Sequence, residues 1–410
     1  MFRYEVKKVF SVTKSKIALI LLAMIVGVTC YFATDVAYTN EKGEQETGIG
    51  AVRQLRAAQK EWSGWLDEEK VRQVIKENSR INDTPEAKSR DYRENNIAYG
   101  WKQGIREIRA LLNCSYARQF REYDYYLADS LSESRAGEFY QNRTRLLQEW
   151  LAQEAKDQFT DAEKDYLVRQ YETIETPFYY DYMKGWTQLF EFAPTIVMIT
   201  MLFLGYLVAG IFSSEFTWRA DDIFFASFYG RNKAVAAKVK AGVGIVTVIY
   251  WTAVLIYSVI VLGYLGADGW NCSVQADSTG WKCFYHIMVW QKYLLIITGG
   301  YAGCLFMAGL CMYVSARFQS AVLAVMVPFV LIFLPSFVGN IETHAVTKIL
   351  GLLPDRLLQV GQALNYFDLY EVGGKVIGAV PVLFAMYGAL AVVLLPVIYY
   401  TGKRSGWRDS

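Results

Sequence analysis

The sequence predicts an all-α membrane protein in which six transmembrane helices carry a helical extracellular domain inserted between spans one and two. Three observations lead to this prediction: six long apolar stretches without a charged residue, a long charged segment after the first of them, and no run of alternating polar and apolar residues. Each stretch has at least 18 residues, enough for a helix rising about 1.5 Å per residue to cross about 30 Å of hydrocarbon. The predicted spans are residues 17–34, 192–214, 241–266, 293–316, 318–341 and 376–402.

Lysine and arginine are distributed unevenly over the short segments outside these spans. Segments 1–16, 215–240 and 403–410, together with Arg317, contain 14 of them, whereas segments 267–292 and 342–375 contain 5. Short cytoplasmic segments of membrane proteins are enriched in Lys and Arg. Both termini are therefore predicted to lie in the cytoplasm, with segments 267–292 and 342–375 outside.

Segment 35–190 is the predicted extracellular domain, with 28 Asp and Glu against 23 Lys and Arg. Long domains cross a membrane largely regardless of charge, so this segment does not affect the predicted orientation. Apolar residues at helical spacing predict helices over 47–81, 101–112 and 139–151, and Thr160 with Glu163 forms a capping-box pattern before a fourth. The formal net charge of the whole chain is only +2, which does not favour a nucleic-acid partner.

Three further segments have a specific interpretation. Residues 1–16 predict an amphipathic helix on the inner membrane surface, and an ordinary charged flank is the alternative. The aromatic segment 176–186 is interpreted as an interfacial belt, with a ligand-facing shelf as the alternative. Cys272 and Cys283 lie in one short outer loop, which predicts a disulfide on the oxidising face of the membrane.

Several kinds of catalytic and transport machinery have no motif in this sequence. It contains no Gly-x-x-x-x-Gly-Lys-[Ser/Thr] phosphate loop, no Gly-x-Ser-x-Gly elbow and no His-Glu-x-x-His helix, and it has only two histidines. No catalytic residue, cofactor or metal site is therefore predicted. The predicted spans contain no ionisable residue of the kind that ion-coupled carriers use along their pathway. An energy source outside this chain is therefore expected.

The cytoplasmic segment 215–240 suggests how such a source would be connected. Four apolar residues recur at helical spacing among charged residues, namely Phe216, Ile223, Phe224 and Phe228. Gly230 is expected to end the short helix. An amphipathic helix of this kind suits docking to a soluble motor, with a plain interfacial helix as the alternative. The candidate coupling residues are Glu215, Phe216, Arg219, Asp221, Asp222, Phe224, Phe228, Arg231, Lys233 and Lys238.

This segment resembles the signature of six-helix ABC exporter permeases of the type-2 class. In that family the second span ends in a Glu, an amphipathic coupling helix follows, and an Arg in a turn precedes a Lys that opens the third span. Glu215, Arg231 and Lys238 stand at those positions. Two positions depart from the pattern: Arg219–Ala220 replaces the usual Gly-Thr, and Phe228 replaces the usual Pro. Segment 342–375, whose apolar pieces 349–353 and 357–364 are split by Pro354, is similar to the short re-entrant helices of these permeases.

The resemblance implies a permease subunit that moves a peptide, a lipid-like molecule or another amphipathic substrate out of the cell. Its expected partners are a cytoplasmic ABC ATPase chain, which would bind ATP and Mg²⁺, a second permease copy or homologue, and the lipid of a bacterial plasma membrane. Small residues at Gly299 and Gly303, and at Gly374 and Gly378, are candidates for close helix packing. The alternative is a membrane sensor or scaffold whose extracellular domain binds a ligand such as an antimicrobial peptide.

Overall fold

The structure is a computed structural model that describes residues 1–227, 229–338 and 348–404, with side chains except those of residues 225, 231 and 334–338. The helices of these ranges used below are α1 (Phe2–Ser11), α2 (Thr13–Thr34), α3 (Ile49–Lys60), α4 (Glu68–Asn82), α5 (Pro85–Lys88), α6 (Tyr92–Trp101), α7 (Arg106–Ser115), α8 (Phe139–Ala152), α9 (Asp161–Glu172), α10 (Lys184–Thr217), α11 (Asp221–Ala226), α12 (Val235–Leu265), α13 (Val289–Phe318), α14 (Ala321–Val338), α15 (Pro354–Leu358), α16 (Val360–Ala363) and α17 (Ala379–Arg404). The strands are β1 (Ala37–Thr39), β2 (Gln45–Thr47), β3 (Gly64–Trp65), β4 (Tyr179–Tyr180), β5 (Leu369–Val372) and β6 (Lys375–Gly378).

Five helices of the described chain, α2, α10, α12, α13 and α17, are long and apolar enough to cross a membrane. The protein is therefore a multi-pass, mostly helical membrane protein, as the sequence predicts. Helix α14 covers most of the fifth predicted span, and residues 339–341 of that span lie outside the described residues. The count of six spans stays a prediction.

Helix α10 is the centre of the bundle and packs against α2, α12, α13 and α14. Its 34 residues correspond to about 50 Å of helix, and it begins eight residues before the predicted span. The extra turns are packed: Trp186 is buried, and its indole N–H donates to the carbonyl oxygen of Ala267 at 3.2 Å. The helix thus connects the inserted domain (residues 35–183) directly to the opposite end of the bundle.

The Gly299 and Gly303 pair allows a close approach, although the partners are two short helices. A Cβ on Gly299 would lie 2.5 Å from Cγ2 of Val360, and one on Gly303 would lie 2.7 Å from Cδ2 of Leu358. Helices α15 and α16 therefore pack tightly on α13. Pro354 is the first residue of α15, a position where the N–H that proline lacks would have no partner within the helix. The predicted helix packing at Gly374 and Gly378 is wrong. Gly374 has φ +76° and forms the turn between β5 and β6, so it does not lie in a helix.

The inserted domain is helical, but the predicted helix over 47–81 is wrong because two helices occupy this segment. Helix α3 ends at Lys60, the chain forms β3, and Asp67 caps α4 by accepting a hydrogen bond from the N–H of Lys70 at 2.8 Å. The predicted helix over 101–112 is likewise divided, because α6 ends at Trp101 and α7 begins at Arg106. Helix α8 and the capping box of Thr160 and Glu163 at the start of α9 are confirmed.

Short antiparallel hairpins and pairings modify the all-α prediction. Strand β1 pairs with β2, β3 with β4, and β5 with β6, each as a two-stranded sheet. The pairing of β3 with β4 joins residue 64, which follows α3, to residue 180 near the end of the inserted domain. No alternating pattern signalled these strands, because each has only two to four residues.

The aromatic segment 176–186 lies mostly in the core, so the interfacial-belt interpretation is wrong for most of it. Phe178, Tyr180, Tyr182 and Trp186 are buried, and one apolar core continues from the spans into the inserted domain. Among the aromatic residues of the segment, Tyr179 is the exposed one, and its ring lies edge-to-face on Trp65 at a centroid distance of 5.4 Å. Thr176 and Pro177 are also exposed. The segment therefore joins the domain to α10 rigidly.

The loop between α12 and α13 is a second junction between the inserted domain and the spans. The buried guanidinium of Arg143 donates to the carbonyl oxygens of Trp281 and Cys283, each at 3.0 Å. The structure has Cys272 and Cys283 as free thiols, so it does not contain the predicted disulfide. The two buried side chains belong to different apolar clusters.

A polar network centred on Asp129 stabilises the inserted domain. Its carboxylate accepts hydrogen bonds from Asn78 and Asn82 and pairs with Arg109 at 3.0 Å and with Lys102 at 3.5 Å. Burial raises the pKa of the Asp129 carboxyl, but the two amides and the two cations outweigh burial and lower the pKa below its ordinary value. The charged form of Asp129 is therefore the one that stabilises the fold.

We expect Asp129→Asn to destabilise the inserted domain by about 2 kcal/mol at pH 7, because it leaves the buried guanidinium of Arg109 without its carboxylate. A carboxyl whose pKa is lowered by folding stabilises above its unfolded pKa of about 4 and loses that contribution as the pH falls through the folded pKa. Hydrogen exchange at α4 and α7 in the full chain should therefore differ between variant and wild type at pH 7, and this difference should shrink as the pH falls below about 4. The control is Asp83→Asn, whose ion pair with Lys88 is exposed; an equal effect of both changes would contradict the prediction.

Candidate functional site

The ends of α1, α10 and α12 meet around the carboxylate of Glu215. The ammonium group of Lys238 donates to Oε2, and that of Lys8 donates to Oε1. Lys238 Nζ also donates to the carbonyl oxygen of Ile211 at 2.8 Å. The side chains of Glu215 and Lys238 are only 7% and 2% exposed, so this ion pair is interior.

Aromatic rings complete the surroundings of the two ammonium groups. Lys238 Nζ lies 4.9 Å from the ring centroid of Phe224 and 5.5 Å from that of Phe212, and Lys8 Nζ lies 5.0 Å from that of Trp218. A buried ion pair is tolerated only where further hydrogen bonds and favourable contacts offset its loss of hydration. The carbonyl, the second ammonium and the rings supply those contacts.

Glu215 and Lys238 were expected among the docking residues, yet the structure places both in the interior and pairs them with each other. Their geometry fixes the end of α10 to the start of α12 across the intervening turn. Lys8 is the third charged residue of this site, and the family pattern does not include it. The amphipathic pattern of residues 1–16 was the available signal. Residues 2–11 form the helix α1, which packs on α10 and α12, and its position on the inner membrane surface stays a prediction.

The connection between α10 and α12 is built from tight local geometry. Arg219 has φ +54°, and the backbone N–H of Ala220 donates to the carbonyl oxygen of Glu215 at 2.9 Å, which turns the chain out of α10. At the other end of α11, a Cβ on Gly230 would lie 1.8 Å from the carbonyl oxygen of Phe224. Only glycine fits this position. The prediction that Gly230 ends the helix is wrong, because α11 already ends at Ala226 and Gly230 begins the next helical turn, residues 230–234.

Most remaining candidate residues lie on or beside this connection. Asp222 is exposed, whereas Phe216, Asp221 and Phe224 are half-buried, and Phe216 still belongs to α10. Lys233 is exposed, and its ammonium lies 4.3 Å from the ring centroid of Tyr229. Phe228 lies outside the described residues, and only the backbone of Arg231 is described.

The outward side of this connection exposes large apolar groups. Ile223 is 78% exposed, and Trp218 and Tyr229 are 57% and 44% exposed. Arg219, Asp222 and Lys233 are charged neighbours with exposed side chains. We call these six residues the α11 surface. Its mixture of apolar and charged side chains is typical of a surface that another protein covers.

A groove beside the α11 surface separates α1 from α10 and α14. Glu5 and Lys8 line its charged end, and Tyr206 and Val325 belong to its apolar wall, around a volume of about 200 Å³. Burial raises the pKa of Glu5, although Lys238 and Lys8 oppose the rise. In the described part of the chain, no three His, Cys, Asp or Glu side chains are grouped so that they could hold a metal ion.

Comparison of the chain with models of protein families, with curated proteins and with solved structures finds no match. Two structural features of this chain stand out, the α11 surface and the interior ion pair that supports it.

We expect Glu215→Gln to lower the stability of the full chain by about 3 kcal/mol, because the ammonium of Lys238 stays buried without a carboxylate. The double variant Glu215→Gln with Lys238→Met should regain part of the loss, since it removes the unpaired charge. Thermal unfolding in detergent measures both, and Asp222→Asn is the control because its side chain is exposed. Equal unfolding temperatures for Glu215→Gln and wild type would show that the pair is dispensable.

Proposed function

We propose that this chain is the transmembrane permease subunit of an ATP-driven exporter in a bacterial plasma membrane, with both termini in the cytoplasm. The α11 surface docks to a separate cytoplasmic ATPase, which binds ATP and Mg²⁺. The observation that carries the proposal is an exposed apolar surface on a short helix whose two flanking spans are joined by a buried ion pair.

Such a connection suits the transmission of force. A partner that pushes on α11 acts at once on α10 and α12, because Glu215 and Lys238 hold their ends together. Helix α10 passes through the centre of the bundle and enters the inserted domain about 50 Å away. Motion at the α11 surface would therefore be carried to the other face of the membrane as a rigid-body tilt of a packed helix.

The packing of α15 and α16 supports a pathway that opens near the other end of the bundle. These helices are short and rest on the glycines of α13, so they can separate from it without unfolding a span. Exposed apolar residues on α12 and α17, such as Val259 and Val392, provide faces for lipid and for a second permease copy. The transported molecule would be amphipathic, lipid-like or peptidic.

We expect Ile223→Asp to reduce at least tenfold the amount of ATPase that co-purifies with the tagged full chain, when the chain is expressed together with a candidate ABC ATPase from the same organism. Burying a charge at the centre of an apolar contact costs about 2 kcal/mol or more, which corresponds to more than a tenfold loss of affinity. Fluorescence-detected size-exclusion chromatography reports that the variant is folded.

The matched control is Tyr92→Asp, which places the same charge at an equally exposed position of the inserted domain and should leave ATPase recovery unchanged. Ile223 is preferred to Glu215 as the test position because it is exposed, so its change does not disturb the ion pair. Recovery of no ATPase with the wild-type chain under any condition would overturn the exporter proposal and favour a receptor-like role for the inserted domain.

A further inference from the structure

A cavity of about 590 Å³ lies between the inserted domain and the segment that leads into α17. One wall comes from residues 121 and 157–163, before and at the start of α9, and the other from Lys348 and residues 366–369, at the start of β5. Sites that bind small ligands have volumes of about 300–1,000 Å³. The cavity is separate from the α11 surface, because its walls belong to the outer connections of the spans and to the inserted domain.

The apolar part of the lining is aromatic and held by packing. The ring of Phe367 lies against Phe120 and Trp150, with centroid distances of 5.6 Å and 5.5 Å. Phe159 packs on Trp150 at 5.7 Å, and Tyr366 is 48% exposed beside them. These rings form a firm apolar floor on which a ligand ring or a large aliphatic group can rest.

The charged part of the lining has carboxylates that are not neutralised. Glu163 pairs with Lys348 at 2.7 Å, so these two charges cancel. Within the described residues, the carboxylates of Asp157 and Asp368 have no hydrogen bond or ion pair. Arg121 is the remaining cation of the lining, and its guanidinium lies over the ring of Trp150 at 4.7 Å. The described residues of the lining therefore carry a net charge of −1, from three carboxylates and two cations.

The position of Asp368 makes its free carboxylate notable. Burial raises the pKa of the Asp368 carboxyl, and the positive charge of Arg356 only partly opposes this rise. A half-buried carboxylate without a partner costs free energy that a positively charged ligand would recover. Asp368 directly precedes β5. Its backbone carbonyl oxygen accepts a hydrogen bond at 2.9 Å from the N–H of Ala379, which is the first residue of α17.

We propose that this cavity binds a short cationic peptide segment that carries an aromatic or large aliphatic side chain. A lysine or arginine of the peptide pairs with Asp157 and Asp368, and its apolar side chain rests on Phe159, Tyr366 and Phe367. The lining combines charged and aromatic groups, which fits a peptide with both kinds of side chain better than an acyl chain. The net acidity of segment 35–190 attracts such a ligand to this side of the molecule.

This binding site goes beyond the proposed docking of an ATPase and does not require it. A ligand in the cavity touches α9 of the inserted domain and the residues that lead into α17 at the same time. Binding would therefore couple the position of the inserted domain to a membrane helix. Because the site is read out by binding alone, its failure and the failure of the exporter proposal are distinguishable.

The test measures binding of the N-acetylated, C-amidated peptide Phe-Lys-Phe-Lys to the full chain in phosphatidylcholine nanodiscs, with calorimetry and with empty nanodiscs as the blank. We expect the peptide to bind, the matching Phe-Glu-Phe-Glu peptide not to bind, and affinity to fall as salt is raised. Loss of a charge-assisted contact corresponds to roughly a tenfold weaker affinity. The double variant Asp157→Asn with Asp368→Asn should show at least that loss.

The control is Asp165→Asn, an exposed carboxylate on α9 that does not line the cavity, and it should bind the peptide as the wild type does. Amide replacement keeps the size of each side chain, and unchanged thermal unfolding of the double variant verifies its fold. Equal affinity of the double variant and the wild type, or equal binding of the acidic peptide, would overturn the proposal. Displacement of the peptide by phosphatidylethanolamine nanodiscs would assign the site to a lipid headgroup and overturn the peptide assignment.

Discussion

The pairing of the buried Glu215 carboxylate with the ammonium groups of Lys238 and Lys8 is the interaction on which the α11 end of the bundle depends. An isolated charge at this depth would be strongly unfavourable, so the three groups require one another. Each comes from a different helix. Their mutual requirement fixes α1, α10 and α12 relative to one another and leaves α11 exposed at a defined position.

The other end of the molecule is joined to the spans by packing and by directional hydrogen bonds. One apolar core includes α2, the segment before α10, and the helices α3, α4 and α7 of the inserted domain. Arg56 and Lys60 of α3 both pair with Asp268, at 2.6 Å, in the loop after α12. The inserted domain is therefore part of the bundle's own structure, and a ligand bound to it can influence the spans directly.

Much of the fold could be predicted from local patterns, and the errors have specific physical reasons. The break between α3 and α4 was missed because apolar residues continue at helical spacing on both sides of Gly64, and only the pairing of β3 with distant β4 selects the turn. The aromatic segment 176–186 was assigned to the membrane interface because its composition suits that environment. Its burial depends on the inserted domain folding over it.

The candidate site shows the same division. The sequence indicates the helix α1, because helical spacing is a local property. It does not indicate that α11 ends at Ala226, four residues before Gly230. The sequence by itself determined that this chain crosses a membrane, since long apolar stretches must satisfy their backbone hydrogen bonds as helices. Only the tertiary structure decided that Glu215 and Lys238 pair in the interior while Ile223 remains exposed. Whether a charge is buried depends on which distant residues surround it, and no local pattern specifies that.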